Sequence, residues 1–599
     1  MAKPKMRCDM KKRTNLIFLI FPLIWAFYFI FMKGHILHWE STDFFVRDWG
    51  YSQQFLLKPG GWGEYLSHFV LQYFQWPWLG ALILTLLLMA IFVSAGGIAR
   101  YLAIAECWPV LEWLPVILTG GLLCNSGISF LDMLHIFLFF FILWGILSAP
   151  LGHLRTCIAV LFFPCLYLLL PWGVVLMFYL TFLFVHLRKS KNRKGMWIPT
   201  AGIVLVGIWP YLWRRWVWVM PEGTLFPWVT FPEGERVWAW WLIYGYGMLL
   251  WLISFWFNRK QFRNRKQIRV LNVIALVLII VGFYVVSRQK ETEYFYRMDQ
   301  AVEAGDWEKV LRIAGQLDRF EREELYFVSL ALAMRGELGE KLFEYPVWGS
   351  GCLYLPRDLD YKNSILGAEL YYRLKVPNEA IHWTFQASVA SPLGMDFRVL
   401  KRLIDLNIQK RDLPVARKYL SILEKANCYT SWCRSRRKML HDPDTDFVES
   451  QEEHDFFIGG RPFLSDMARL IDAGRSKKLA LDYVLCGLLL NKDLQKFCQL
   501  FVGFYPCQRG EQLPAAYEEA LLVAQALGWK IVCEKEYVFS QEVSQKYQEY
   551  NALLETCGKD KEQNKKIMEG YRTTWWYYFH FVDLRLMDER GHIFNGYSS

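Results

Sequence analysis

Three acidic residues, Glu40, Asp43 and Asp48, lie in a short polar stretch that follows the first long apolar run of the chain. A carboxylate in such a place can accept the proton of an attacking hydroxyl group, or it can help to bind a divalent metal ion. These residues are therefore the candidate catalytic acids. The alternative is that they are solvated loop residues, one of which pairs with Arg47. No residue pattern identifies a metal or cofactor motif, and the nature of any cofactor stays open.

A second set of ionisable residues lies inside or between other runs. Asp132 and His135 are three residues apart in an apolar run, so they would share one face of a helix. Such groups are costly within a membrane segment, which favours a hydrogen-bonded pair, with a proton or substrate path as the alternative. The spacing of Asp442, Asp444 and Asp446 is known from metal sites, but no strand or glycine-rich loop accompanies it. A turn-rich linker is therefore predicted there.

Two basic loops, residues 188–194 and 258–268, determine how the surrounding elements are oriented. Both lack acidic residues and lie between apolar runs, which is typical of the cytoplasmic side of a membrane. With the N-terminus also cytoplasmic, nine spans satisfy this rule and place residue 288 outside. The predicted spans are 15–32, 78–99, 109–125, 128–148, 156–170, 172–187, 197–213, 237–257 and 269–287.

The stretch between the first two spans, residues 33–77, is predicted to be a long outer loop that contains one amphipathic helix. After Pro59-Gly60-Gly61, apolar residues recur at helical spacing, and polar residues occupy the other side. Such a helix would lie in the membrane interface. The apolar positions are Trp62, Tyr65, Leu66, Phe69, Val70, Tyr73 and Phe74.

The second half of the chain reads as successive helical hairpins. Gly305-Asp306-Trp307, Gly336-Glu337-Leu338, Arg411-Asp412-Leu413 and Lys492-Asp493-Leu494 each resemble the turn within a tetratricopeptide-type hairpin. The predicted fold is therefore all-α, with a polytopic membrane domain over residues 1–287. An extracytoplasmic α-solenoid, similar to a tetratricopeptide array, is predicted over residues 288–599.

Composition and charge limit the classes of function. The chain is 54% hydrophobic, which is typical of a membrane component, and its formal net charge is +11. The positive charge is concentrated in the first 287 residues, where it serves topology, and no basic face interleaved with aromatic residues occurs later. Nucleic acid is therefore excluded as a partner.

Eight of the 13 cysteines lie in the second half, where free buried thiols are expected, although disulfides stay open.

Several motifs resemble one group of proteins. Pro59-Gly60-Gly61, Pro77-Trp78-Leu79-Gly80-Ala81, Leu342-Phe343-Glu344-Tyr345-Pro346 and Ala416-Arg417-Lys418-Tyr419-Leu420 are similar to motifs of uncharacterised multi-pass proteins of Bacteroidetes-type bacteria, which are grouped only as a domain of unknown function. The resemblance implies an inner-membrane protein with a periplasmic helical-repeat domain. It implies no activity.

The layout of the first outer loop is also similar to that of multi-pass, lipid-donor glycosyltransferases of the GT-C group. Those enzymes place a catalytic acid and interfacial helices after the first span, although many have an adjacent acid pair that is absent here. Two functions are therefore predicted. The first is a membrane-embedded protein whose repeats bind a protein or an envelope polymer, with membrane lipids around its spans. The alternative is a GT-C-like enzyme of the cell envelope, and a transporter ranks behind both.

Overall fold

The computed structural model describes most of the chain in 14 stretches and some isolated residues. The described residues are 22–102, 109–124, 128–148, 162–189, 197–217, 237–256, 290–356, 360–440, 463–472, 477–505, 512–528, 539–558, 560–587 and 593–595, with residues 20, 270, 273, 274, 277, 281 and 358. Residues 190–194 and 258–268 of the two basic loops, most of the predicted span 269–287, and Asp442, Asp444 and Asp446 lie outside them.

The all-α class is confirmed for the described residues, in which helices predominate. One small antiparallel pair of strands joins Arg585–Met587 to Ile593–Asn595. The chain forms two compact units: the first is Met1–Glu293 with Ile422–Ser431, and the second is Tyr294–Ser421 with Trp432–Ser599. The sequence suggested a boundary after residue 287 and did not indicate that residues 422–431 belong with the first unit.

The first unit is built from apolar helices of very different lengths. Two of them, Pro77–Tyr101 and Phe130–Ser148, are long and apolar enough to cross a membrane by length and composition. The nine-span arrangement stays a prediction. The other helices are Pro22–Phe31, Lys33–Ser41, Trp49–Leu56, Gly61–Leu71, Leu114–Leu122, Phe163–Leu169, Trp172–Lys189, Trp197–Trp216, Val237–Tyr244 and Tyr246–Trp256, with short 3-10 turns at Gln72–Gln75 and Pro109–Trp113.

Two of the predicted apolar runs are divided. The run 156–187 was predicted to be two spans with a turn at Pro171: one helix ends at Leu169, Leu170 is extended, and a new helix begins at Trp172. Proline lacks a backbone N–H and disfavours a helical residue before it, so a break is expected there. In the run 237–257, the helix is interrupted at Gly245, although helical hydrogen bonds continue on both sides of it, from Gly245 N–H to the Trp241 carbonyl and from Leu249 N–H to the Gly245 carbonyl.

The first unit exposes apolar side chains and buries several polar ones. Val204 and Ile208 on the Trp197–Trp216 helix are 58% and 49% exposed, and Leu86 on Pro77–Tyr101 is 52% exposed. Thr85 and Thr181 are fully buried. Below these exposed side chains the first unit also has a buried apolar core, so its helices are apolar on both their inner and their outer sides.

The second unit consists of shorter helices, most of them in antiparallel hairpins. Its helices are Lys290–Ala304, which begins just before the boundary, Trp307–Ala314, Arg322–Arg335, Leu338–Lys341, Tyr361–Arg373, Pro377–Ala390, Phe397–Gln409, Leu413–Leu423, Thr430–Met439, Phe463–Asp472, Lys477–Leu490, Leu494–Phe504, Ala515–Ala526, Gln541–Glu555, Lys561–Ile567 and Trp575–Phe581, with 3-10 turns at Leu342–Glu344, Ser350–Cys352 and Glu569–Tyr571.

Five of the turns between these helices share one backbone geometry. A residue with positive φ ends the first helix, and the next residue precedes the second helix. The N–H of that next residue returns to a carbonyl in the last turn, as in Asp306 N–H to the Ala301 carbonyl at 2.9 Å, which is a Schellman-type ending. The four turns singled out in the sequence are present. The positive-φ residues are Gly305, Gly336, Lys375, Arg411 and Lys492.

Two ion pairs, one buried and one partly buried, join helices of the second unit that are distant in sequence. Arg398 binds Asp299 through two hydrogen bonds of 2.5 and 2.7 Å, and both side chains are buried. Lys401 pairs with Glu303 at 2.8 Å, one helical turn further along each helix. Because a buried charge without its partner is costly, these pairs restrict how the helices can be aligned.

The Trp575–Phe581 helix closes the described part of the second unit. Its first backbone N–H, from Trp575, donates to Oε2 of Glu519 at 2.5 Å, and the Trp576 indole donates to the Glu519 carbonyl at 2.9 Å. Both tryptophans are fully buried, and Glu519 is 7% exposed. One buried carboxyl group therefore binds the start of the terminal aromatic helix.

Six of the eight cysteines in the second half lie in the described part of the chain, and all six are free thiols. Cys352, Cys428, Cys433 and Cys486 are buried, as expected for small apolar residues in helical cores. Cys507 and Cys533 lie outside the described residues.

Candidate functional site

The Lys33–Ser41 helix leads directly to the predicted acids. Its first turn is bound by Glu293, whose carboxylate accepts from the backbone N–H groups of Gly34 at 2.7 Å and His35 at 3.1 Å. A carboxylate suits this position because the first N–H groups of a helix lack partners within the helix. The sequence placed residues 33–41 within the first outer loop and indicated no helix there; they form a helix, and Glu40 lies in its last turn.

Asp43 lies two residues beyond this helix and is paired with His68. Nδ1 of His68 donates a short hydrogen bond to Oδ1 of Asp43, and both residues are buried, with exposures of 4% for Asp43 and 8% for His68. The other carboxylate oxygen, Oδ2, is buried without a hydrogen-bond partner among the described residues. The expectation that Asp43 is a solvated loop residue was therefore wrong. One of its oxygens accepts from His68, and the other is buried without a hydrogen-bond partner among the described residues.

Glu64 and Lys58 extend the pair to a row of four ionisable residues. Glu64 lies one helical turn before His68, with 3.9 Å between Oε1 of Glu64 and Nε2 of His68. Lys58 Nζ lies 2.6 Å from Oε2 of Glu64. Nε2 of His68 makes no hydrogen bond among the described residues. The imidazole ring thus lies between two carboxylates and is bonded directly to one of them.

Aromatic rings lie beside the buried part of the row, whereas Lys58 at its end is exposed. Phe45, Tyr51, Phe55 and Tyr65 contact one another with ring centroids 5.1–6.4 Å apart. The Phe55 ring also lies 5.6 Å from the His68 ring. Apolar surroundings of this kind disfavour charge, so any charge that remains must be stabilised by the neighbouring ionised groups.

The pKa values in this row follow from burial and mutual charge. Burial alone would lower the pKa of His68, but the charge and hydrogen bond of Asp43, together with the nearby charge of Glu64, outweigh it and raise this pKa to about 9. Burial raises the pKa of Asp43, although His68 opposes the change. Burial would also raise the pKa of Glu64, but His68 and Lys58 together lower it. At neutral pH His68 is therefore protonated, and burial makes the carboxyl group of Asp43 more basic.

Two glycines allow the Gly61–Leu71 helix to pack closely against Leu169 and His135. Gly60 adopts a φ of +71° immediately before the helix, which suits a residue without Cβ. A Cβ on Gly63 would lie 2.4 Å from the Leu169 carbonyl oxygen and 3.1 Å from Nε2 of His135. The close packing of this helix therefore depends on glycine, which gives the Pro59-Gly60-Gly61 motif a physical meaning.

The Gly61–Leu71 helix has the opposite orientation to a surface helix of a soluble protein. Its polar residues Ser67 and His68 are buried, whereas Trp62 and Leu66 of the apolar stripe are 40% and 37% exposed. The predicted amphipathic helix is present. Its polar face, however, points into the protein and supplies the partner of Asp43.

The other two predicted acids have separate roles. The hydroxyl group of Tyr429 donates to Oε1 of Glu40, which is 4% exposed, so Glu40 is not a solvated residue either. Asp48 is more exposed and begins the Trp49–Leu56 helix, where Oδ1 accepts from the Gly50 N–H at 2.9 Å. Its ion-pair partner is Lys425, at 2.6 Å, and Lys425 lowers the pKa of Asp48. The structure thus brings none of the three carboxylates into direct contact with another.

Asp132 and His135 both lie on the Phe130–Ser148 helix and are buried. Asp132 is bonded locally, since its Oδ2 accepts from the Ser129 N–H at 3.1 Å and from the Ser129 hydroxyl at 2.7 Å. His135 lies beside Gly63 instead, and its Nε2 has no hydrogen-bond partner among the described residues. The two residues share a helix, but the structure gives them different neighbours.

One group of carboxylates has the separation expected of a metal site. Ligand oxygens of Glu321, Glu323 and Glu324 lie within 4.8 Å of one another in the described part of the chain. The Glu324 side chain accepts from the Glu321 backbone N–H at 3.0 Å, as part of a capping box at the start of the Arg322–Arg335 helix. Helix capping accounts for the cluster without an ion.

The sequence identified Asp43 but missed the residues that surround it. His68 and Glu64 are four residues apart on the polar side of an amphipathic helix, which is a weak signal for a helical pair. No local pattern connects residues 422–431 to this loop.

The chemistry of the arrangement follows from the two oxygens of Asp43. The buried Oδ2 has no hydrogen-bond partner among the described residues, and Oδ1 is bonded to the imidazolium group of His68. Oδ2 can therefore accept a proton from a hydroxyl group that reaches it.

Comparison with curated proteins gives no significant match, and neither does comparison with solved structures. A family profile, by contrast, matches residues 10–582, which is nearly the whole chain and includes Asp43, His68 and Tyr429. The profile describes a family whose function is not known, so it transfers no activity to these residues. The chain belongs to this family of unknown function, DUF6057.

Proposed function

We propose that the protein is a multi-pass membrane enzyme of the cell envelope in which Asp43 is the general base. It would remove a proton from an acceptor hydroxyl group while a glycosyl group is transferred from a lipid-linked donor. The observation that carries this proposal is the difference in hydrogen bonding between the two carboxylate oxygens of Asp43. Its Oδ1 is held by His68, and its buried Oδ2 has no hydrogen-bond partner among the described residues.

The membrane part of the proposal is supported by the distribution of apolar side chains. Faces of the Gly61–Leu71, Pro77–Tyr101 and Trp197–Trp216 helices expose large apolar residues, while polar residues lie inside the first unit. Lipid is the environment in which such exposure carries no cost. We therefore retain the nine-span topology, with the N-terminus in the cytoplasm of a bacterial inner membrane and the second unit in the periplasm.

A lipid-linked donor fits the immediate surroundings of Asp43. The helix that supplies His68 turns Trp62 and Leu66 outward, so its apolar stripe would contact lipid at the membrane interface. A substrate with a lipid tail would approach along this side, and its reacting group would meet the polar face. The remaining feature shared with GT-C enzymes is the position of an acid just after the first apolar helix.

In this reaction the acceptor oxygen attacks the anomeric carbon of the donor sugar. The bond from that carbon to the lipid phosphate breaks, the phosphate leaves with the bonding electrons, and Oδ2 of Asp43 takes the hydroxyl proton. His68 stays protonated and stabilises the carboxylate before transfer. A base is most effective when its pKa approaches the working pH, and burial changes the pKa of Asp43 in that direction.

The test is replacement of Asp43 by asparagine in a host strain from which the native gene has been deleted. Envelope and lipid-linked glycans would be measured by mass spectrometry. The Asp43→Asn variant should reproduce the deletion, whereas Glu555→Gln, which changes an exposed acid of the second unit, should restore the wild-type glycans. The proposal fails if the deletion leaves all glycans unchanged. It also fails if Asp43→Asn, present in membranes at the wild-type level, is as active as Glu555→Gln.

We propose as a second function that the hairpins of the second unit bind a protein or an envelope polymer. One observation favours it: Phe385 and Val389, one helical turn apart on Pro377–Ala390, are 44% and 80% exposed. Stacked hairpins of a solenoid would offer such residues to a partner. A photo-crosslinking amino acid at Val389 should capture a defined partner, and one at the exposed Lys375 should not. Equal labelling at both positions would contradict specific binding.

A further inference from the structure

The segment Ile422–Ser431 belongs to the first unit, although residues on both sides of it in sequence belong to the second. Within the first unit it contacts the stretch that contains Asp43. The Lys425 carbonyl accepts from the Arg47 N–H at 3.0 Å, and the Lys425 side chain pairs with Asp48 at 2.6 Å. These contacts attach the segment to the residues that follow Asp43.

Two further contacts join the Ile422–Ser431 segment to the residues before Asp43 and to those after His68. The Tyr429 hydroxyl donates to the Glu40 carboxylate, three residues before Asp43, and the Asp43 N–H in turn donates to the Glu40 carbonyl at 3.1 Å. The Asn427 N–H donates to Oε1 of Gln72 at 3.2 Å, and Gln72 lies one helical turn after His68. The segment therefore contacts residues close in sequence to both members of the Asp43–His68 pair.

We infer that Ile422–Ser431 is part of the proposed site and that Tyr429 is a positioning residue for Asp43, acting through Glu40. Tyr429 does not reach the reacting oxygen itself. Its hydroxyl group fixes the last turn of the Lys33–Ser41 helix, from which Asp43 projects only two residues later. This inference rests on the proposed function only in taking Asp43 as the reacting group.

The physical reason for such a role is the steep dependence of proton transfer on geometry. A base must lie within hydrogen-bond reach of the proton that it removes, and a displacement of about 1 Å far from the chemistry can reduce the rate by about 100-fold. Glu293 fixes the first turn of the same helix, and Tyr429 fixes its last turn. The helix that presents Asp43 is thus held at both ends by residues distant in sequence.

The experiment uses His68 as a reporter, since its protonation depends on Asp43. Diethyl pyrocarbonate modifies neutral imidazole, so the rate of His68 modification can be followed by peptide mass spectrometry on the full chain in native membranes. In Tyr429→Phe we expect this rate at pH 7 to rise about tenfold or more, because a displaced Asp43 no longer raises the pKa of His68. Glycan output from the complemented deletion strain should fall in parallel.

A matched control separates positioning from general loss of stability. The hydroxyl group of Tyr28 donates to the Gly120 carbonyl at 3.0 Å in the same unit, away from the loop. Tyr28→Phe therefore removes a comparable buried hydrogen bond, and it should leave the rate of His68 modification at the wild-type value. A rise of equal size in both variants would overturn the positioning role.

The two proposals can fail separately. If Asp43→Asn accelerates His68 modification but Tyr429→Phe does not, Tyr429 has no positioning role and the proposed base is unaffected. If Tyr429→Phe accelerates the modification while Asp43→Asn leaves glycans unchanged, the coupling stands and the proposed enzymatic function is wrong.

Discussion

Replacement of Glu519 by glutamine should make the second unit more stable at neutral pH. Burial raises the pKa of Glu519 to about 8, although the hydrogen bond from the Trp575 N–H and the charge of Lys546 oppose the change. The negative charges of Glu340 and Glu518 raise the pKa of Glu519 further. The folded protein therefore keeps this carboxyl group protonated at pH 7, whereas the unfolded chain ionises it.

The magnitude follows from the difference between the two pKa values. With an unfolded value of 4.5 and a folded value of about 8, stability is lost as the pH rises through this range, since the folded state binds more protons. Each pH unit costs about 1.4 kcal/mol, so the loss between pH 5 and pH 7 is about 2.5 kcal/mol. Glutamine cannot ionise, yet its carbonyl oxygen can still accept from the Trp575 N–H.

The assay is amide hydrogen exchange of the purified full chain, read by mass spectrometry on peptides that cover Trp575–Phe581 and corrected for the intrinsic effect of pH. Wild-type protection should decrease from pH 5 to pH 7, and Glu519→Gln should remove most of that dependence. Glu555→Gln, at an exposed position, is the control and should behave like the wild type. The reasoning is refuted if wild-type protection is the same at both pH values, or if Glu519→Gln retains the full dependence.

Three other substitutions test the packing. Gly63→Ala should destabilise the first unit by about 2 kcal/mol or more, because its Cβ would lie 2.4 Å from the Leu169 carbonyl oxygen; a melting temperature within error of the wild type would contradict this. Asp299→Asn should cost about 3–5 kcal/mol by leaving the buried Arg398 without its counter-charge, as measured by denaturant unfolding, and restoration of stability by Arg398→Met in the double variant would confirm the cause. Lys375→Gly should stabilise the second unit by about 0.5–1 kcal/mol, because Lys375 has a φ of +57°, and a decrease would show that strain is absent there.

The position of Asp43 could be predicted from the sequence, but its environment could not. An acid after an apolar run is visible in the residue order. His68 was placed only on the polar side of an amphipathic helix, because helical spacing separates the two faces but does not say what each face contacts. In the structure the polar side faces the protein. The helix could therefore be predicted, and the contact of His68 with Asp43 could not.

Most of the turns of the second unit could be predicted from their residue types, but not all of them. Gly305-Asp306-Trp307 could be identified because glycine and aspartate favour a left-handed residue followed by a cap. The turns at Arg411 and Lys492 could also be identified, because an aspartate that can cap the next helix follows each of them, although lysine and arginine have no preference for positive φ. Lys375 is followed by Val376, and its residue type gives no indication of a positive φ. The contact of Tyr429 with Glu40 spans 389 residues, and no local periodicity can indicate such a pairing.

No single cut in the gene can separate the two units. A fragment that ends at Glu293 lacks Lys425 and Tyr429, and a fragment that begins at Tyr294 carries them without the loop that they bind. Truncations designed at the apparent domain boundary would therefore remove part of the first unit along with the second. Genetic dissection calls for both fragments to be expressed together, or for a short linker to replace the flanking helices while residues 422–431 are retained.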